Sequence, residues 1–156
     1  MMEKTGTYKI IYERPLNIEY YRGIITVEDL IHFKNVIRRE PNYDLYSNTI
    51  TDLRDCILLV KKEELNKIVD FLKTNFEKKG VRNIVYLTSK PNEAILATFY
   101  SFLTKDSKLN FNPDICSSEK AAVKMFSKEI ITEEELKEIL NELRTSHNNV
   151  FAKQVH

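Results

Sequence analysis

Asn48-Thr49-Ile50-Thr51-Asp52-Leu53-Arg54 reads as a buried strand that ends on an Asp and an Arg, with a helix after a short gap. Ile50 and Asp52 alternate with Thr51 and Leu53, which is the period of a strand. Charged side chains at a strand exit are where an α/β sheet usually carries its site. Asp52, Arg54 and Asp55 are therefore a candidate polar rim that orients a ligand or partner. The structural alternative is a local ion pair with a cap on the next segment, worth about 0–1 kcal/mol at a surface.

Upstream, residues 8–13 and 17–22 are β-prone runs around Arg14-Pro15-Leu16, which predicts a hairpin. Thr26 sits where an N-cap belongs, with Glu28 and Asp29 in the first turn of a helix over 27 to about 39. Pro41 stops that helix. Downstream of Arg54, a small apolar patch at 57–60 precedes a helix over about 62–79, with Phe76 on its apolar face and Gly80 as its C′ cap. Residues 82–88 form the next strand, and Ile84-Val85-Tyr86-Leu87 suits a position covered on both faces. Pro91-Asn92-Glu93 opens a third helix that ends near Thr104. Residues 108–112 make a fifth strand stopped by Pro113, and Ser117 or Ser118 caps a fourth helix through Phe126. Thr132 and Glu135 predict a capping box for a last helix over 133–144. The tail from Thr145 to His156 has no strong pattern and is expected to be loose.

The order β-β-α-β-α-β-α-β-α with an extra terminal helix predicts an α/β fold. An N-terminal hairpin followed by βα units implies a mixed sheet with helices packed on it and right-handed parallel crossovers. The expected division is an α/β domain over 1–127 and a C-terminal extension, helix plus tail, over 128–156.

Composition narrows the function classes. The chain has 156 residues, 42% of them hydrophobic, enough for a core. Its 24 basic and 23 acidic residues leave a net charge of +1, which makes no electrostatic case for nucleic acid or an anionic membrane. No apolar run reaches the roughly 18–20 residues of a membrane span, and the N-terminus lacks a signal peptide's apolar core. Cys56 and Cys116 make no disulfide framework, so a cytoplasmic protein with reduced thiols is expected. Gly6, Gly23 and Gly80 are the only glycines and lie far apart, which argues against a phosphate-cradling loop.

Several segments resemble the SpoIIAA-like (STAS-like) proteins. Tyr12-Glu13 and the run from Ile18 through Gly23 and Thr26 to Asp29 look like their opening hairpin and first helix. Thr51-Asp52-Leu53-Arg54 is similar to the Asp-Leu-Arg end of their central strand. Leu109-Asn110-Phe111 with Ser118-Glu119-Lys120-Ala121-Ala122 and Phe126 is similar to their closing strand and helix. The resemblance spans roughly residues 7–127 and implies a module that binds a protein or a small apolar ligand rather than doing chemistry. Anti-sigma-factor antagonists carry an Asp-Ser-x-Gly-Leu turn whose Ser is phosphorylated. This chain has Asp55-Cys56-Ile57 there, so the phosphoswitch does not carry over.

The third helix is the most unusual segment. Ile95, Phe99 and Phe102 form one apolar stripe, and Leu96, Tyr100 and Leu103 form a second, rotated by one residue. A helix on a sheet needs one stripe, so the second calls for a partner subunit, a ligand or the terminal helix. The terminal helix offers Leu136, Ile139, Leu140 and Leu143, to be packed within the chain or across a dimer. Cys56 has no motif linking it to His32, and His147 and His156 share no ligand spacing with it, so neither a thiol nucleophile nor a metal site is expected. Glu63-Glu64 and Glu133–Glu135 are explained by helix dipoles.

The leading expectation is a non-enzymatic interaction or regulatory module, a homodimer or a partner of another protein, with no cofactor and no catalytic residue. The alternative is a binding protein or sensor for a lipid-like or other apolar small molecule held between helices and sheet, drawing on eight Tyr and eight Phe. An enzyme using Asp52 or Cys56 comes third.

Overall fold

Strands β1 (Thr5–Ile11) and β2 (Leu16–Thr26) pair antiparallel. In this computed structural model residues 3–44, 47–75, 81–106, 111–127 and 129–152 are described, without the side chains of 92, 99, 100 and 102–106. β2 outruns the expected strand by four residues, because Gly23 adopts φ 88° within it. That conformation suits glycine, and a Cβ there would stand 3.0 Å from the Lys4 backbone. Thr26 ends the strand and caps α1 (Val27–Arg38) with a full capping box. Its hydroxyl accepts from the Asp29 N–H at 3.2 Å, and the Asp29 carboxylate accepts from the Thr26 N–H at 2.9 Å.

β3 (Asn48–Leu59) runs parallel to β2 and ends five residues beyond Arg54. Asp52 and Arg54 therefore lie inside a strand and not at its exit. The strand that ends at their level is the next one, β4 (Arg82–Leu87), whose Leu87 pairs with Asp52. Opposite Tyr20 and Arg22 of β2 stand Asp52 and Asp55, so β3 carries one extra residue, a β-bulge.

A 3₁₀ turn at Lys62–Glu64 leads into α2 (Leu65–Asn75). Phe76 and the expected Gly80 cap lie outside the described residues. α3 (Pro91–Asp106) starts on proline, whose missing N–H costs nothing in a first turn. β5 (Phe111–Cys116) pairs parallel with β4 and runs through Pro113 instead of stopping there. It is an edge strand, where a proline removes no ladder bond on its open side.

Ser118 caps the short α4 (Glu119–Val123), accepting from the Ala121 N–H at 3.2 Å. Thr132 caps α5 (Glu133–Thr145) in the same way through the Glu135 N–H. The expected capping box is only half formed there, because the Glu135 carboxylate is held in a fork by Arg14.

Among the described residues the sheet order is β1-β2-β3-β4-β5. α1, α2 and α3 cover one face over Tyr21, Phe33, Leu53, Ile68 and Ile84. α4 and α5 cover the other over Ile18, Tyr20, Ile50, Val85 and Leu87. This fits the strands' apolar character on both sides. No helix among the described residues is long and apolar enough to cross a membrane. Leu136, Ile139, Leu140 and Leu143 of α5 are buried on this second face within the chain, so they do not cover α3.

The segment after α5, expected to be loose, is tied down as far as Ala152. Asn149 mimics a neighbouring strand: its Oδ1 accepts from the Gly6 N–H at 2.9 Å and its Nδ2 donates to the Lys4 carbonyl at 2.9 Å. The Val150 N–H adds a 2.8 Å bond to the Gly6 carbonyl. Phe151 then packs over Gly6, near the rings of Phe33 and Tyr21.

Candidate functional site

Alternation along β2 sends Ile18 and Tyr20 to the α5 side and Glu19 and Tyr21 to the α1 side. Glu19 is thereby buried under α1, with none of its surface exposed. Lys34 lies on the same helix face as Leu30 and Ile37, and its ammonium meets the Glu19 carboxylate at 2.6 Å. Thr51 of β3 donates its hydroxyl to Glu19 at 3.3 Å. Arg82, at the start of β4, is buried nearby and donates to the Thr49 hydroxyl at 2.8 Å and the Tyr43 hydroxyl at 3.1 Å. Enclosure pushes the Lys34 pKa down, against the pull of Glu19. Burial likewise pushes the Tyr43 hydroxyl up.

Glu19, Lys34, Thr51 and Arg82 line one end of a cavity of about 80 Å³ between the sheet and the three helices. Its walls are apolar: Leu30 from α1, Ile68 and Leu72 from α2, Leu96 and Ala97 from α3, and Ile84 from the sheet. Small-molecule sites have this form, apolar walls with a few polar groups converging at one place. About 80 Å³ exceeds the roughly 10–15 Å³ that one water needs. It is smaller than the roughly 150 Å³ cavity that takes benzene. A fitting occupant is therefore small, or extends out between the helices.

On the opposite face the bulge brings Asp52, Arg54 and Asp55 into one network. Asp52 is fully buried. Its carboxylate accepts from the Arg54 backbone N–H at 3.0 Å and from that residue's guanidinium at 2.9 Å. Arg54 reaches on to Glu119 at the start of α4, at 2.7 Å. Arg144, in the last turn of α5, lies 3.4 Å from both Asp52 and Asp55. The Tyr20 hydroxyl donates to Asp55 at 2.7 Å. Hydrogen bonding to Asp52 raises the Arg54 pKa, and Arg54 in turn lowers that of Glu119. The expected rim is brought together, as an internal tie between β3, α4 and α5.

Beyond Leu87, β3 has no β4 residue beside it. Lys90 fills part of the gap, donating to the carbonyls of Arg54 and Cys56 at 2.8 and 3.1 Å. It stands 3.5 Å from Glu93, whose carboxylate burial pushes to a higher pKa. Cys56 is fully buried, and desolvation raises its thiol pKa, so it is held as a thiol.

Of the expected apolar surface on α3, Ile95 is 64% exposed while Leu96 turns into the cavity wall. The side chains of Phe99, Tyr100, Phe102 and Leu103 lie outside those described. Sequence reasoning missed Glu19, Lys34, Thr51 and Arg82. A usable signal was present: Glu19, Lys34 and Arg82 each occupy the apolar register of their own element.

No family model matches the chain, and no curated protein matches its sequence.

Proposed function

We propose that the protein is a non-enzymatic binding module that takes a small, mostly apolar molecule between its helices and its sheet. The observation that carries this reading is the cavity walled by α1, α2 and α3, with Glu19, Lys34, Thr51 and Arg82 at one end. A folded core gains by filling such a space, since void-lining atoms lose their dispersion contacts. The SpoIIAA-like resemblance supports the reading, since it implies ligand or protein binding without chemistry. The hairpin followed by βα units supports assigning the chain to a STAS-like arrangement. The free thiols Cys56 and Cys116 support a place in the cytosol.

The test is Ala97→Leu, which puts a larger side chain into the cavity from a buried position on α3. Calorimetric titration with hexan-1-ol should show binding to the wild type and at least tenfold weaker binding to the variant. Equal binding by a folded variant would count against the cavity.

A second reading is a self-associating interaction module. It draws on the exposed Ile24, Ile57 and Leu59, which share the open face of the β2–β3 arm beyond the end of β4. Sedimentation would show a dimer that Ile57→Lys with Leu59→Lys dissociates. A monomeric wild type at micromolar concentration would remove this reading.

A further inference from the structure

Residues 149–151 meet the rest of the molecule as an extended peptide meets a binding site. Gly6 turns its N–H and its carbonyl away from β2, and the Asn149 carboxamide and the Val150 N–H take them both. Asn149 also donates to the Lys4 carbonyl, so the segment is bonded along the open edge of β1. Bonds of this kind at a strand edge supply affinity, and a side-chain pocket supplies specificity. The pocket here is the space left by the missing Cβ of Gly6, with the rings of Phe33 and Tyr21 beside it, and Phe151 fills it. The link to this segment is short. Thr7 donates to the Leu143 carbonyl at 2.9 Å and pins the end of α5 to β1. Residues 146–148 then lead across, with His147 and Asn148 exposed.

From this we infer that the β1 edge at Lys4 and Gly6, with the Phe33 ring, is a recognition site for an extended segment carrying Asn two residues before Phe, and that its partner is a second copy of this chain. Each copy carries both halves, the seat and the segment that fits it. Two copies can therefore exchange segments reciprocally across a two-fold axis, a low-cost route to a dimer. The exchanged contacts are those already made within one chain. Geometry fixes how the copies meet. From Thr145 to Asn149 the backbone reaches at most about 14 Å, and α5 ends against its own β1. The two β1 edges must therefore lie side by side. Within one chain the short link holds the segment at an effective concentration in the millimolar range, so exchange sets in when the chain's own seat is spoiled. The exchange needs neither a cavity ligand nor the exposed face of Ile24, Ile57 and Leu59.

The experiment mixes two full-length variants, each spoiled in one half. Asn149→Ala with Phe151→Ala keeps the seat and loses the segment. Gly6→Ala keeps the segment and fills its own seat, and the atoms nearest the added Cβ are ring carbons of Phe151 and Phe33, which can turn aside. The readout is hydrogen exchange at the Gly6 amide of the isotope-labelled first variant, which should be about tenfold faster than in the wild type. Unlabelled Gly6→Ala protein at about 1 mM should slow it about threefold or more. A synthetic peptide of residues 146–152 should do the same, and unlabelled first variant should leave the rate unchanged. Slowing by the peptide and not by folded Gly6→Ala protein would overturn the second copy as the partner. Slowing by neither, or equal slowing by the first variant, would overturn the recognition site itself.

Discussion

Glu19 and Lys34 meet at 2.6 Å between β2 and α1, and the Glu19 carboxylate is wholly enclosed. Two charges taken out of water gain little net stability, but removing one of them strands the other. Lys34→Met is therefore expected to cost about 3–5 kcal/mol of unfolding free energy. Glu19→Gln with Lys34→Met should recover most of that loss. Urea unfolding of the three proteins checks this, and an additive double variant would show that the two groups are independent.

Asp52 sits on the other face of the sheet, and its substitution separates stability from binding. Asp52→Asn weakens the bonds from Arg54 and Arg144. The expected loss is again about 3–5 kcal/mol, as for breaking a buried ion pair. Affinity for a cavity ligand should stay within about twofold, because Thr51 and Leu53 line the cavity and Asp52 does not. Weaker ligand binding by folded Asp52→Asn would return the polar rim to the site.

Glu135, in the first turn of α5, gives a pH dependence whose sign can be worked out. Its hydrogen bonds from Arg14 hold its carboxyl below the ordinary value of 4.5 in the folded protein. The folded state then binds fewer protons than the unfolded one, so the contribution is present above about pH 4.5 and is lost as pH falls through the folded pKa. Arg14→Leu should flatten the fall in stability below pH 5, as measured by unfolding at a series of pH values. An unchanged acid slope would contradict the fork.

Phe151 lies on Gly6, where a Cβ would come within 2.5 Å of its ring. Gly6→Ala should lift the ring from its seat, and Phe151→Ala should cost about 1–3 kcal/mol through lost apolar burial. Hydrogen exchange at Gly6 should accelerate in both variants, because its N–H is held by Asn149. Unchanged protection would mean that the segment does not strap β1 in solution.

Features set by neighbouring residues were legible in the sequence. Thr26 with Asp29, Ser118, Pro91 and the order of elements all follow from local capping and periodicity. The course of β3 was not, because its bulge sets Arg54 and Asp55 on one face and breaks the alternation on which strand reading depends. Pro113 misled for a related reason: whether a proline ends a strand depends on whether that strand is an edge. The polar end of the cavity joins Glu19, Lys34, Thr51 and Arg82 from four elements. The apolar register of Glu19, Lys34 and Arg82 marks each as turned inward, but no local pattern shows that the four meet.

The central claim is that the space between α1–α3 and the sheet takes a small molecule. It is tested most directly by intermolecular nuclear Overhauser effects between methyl-labelled wild-type protein and hexan-1-ol. A binding cavity predicts contacts from the alcohol chain to Leu30, Leu72, Leu96 and Ala97, and none to Leu136, Ile139 or Leu140 on the far face. Contacts confined to α5, or none at any of these methyl groups at saturating alcohol, would contradict it.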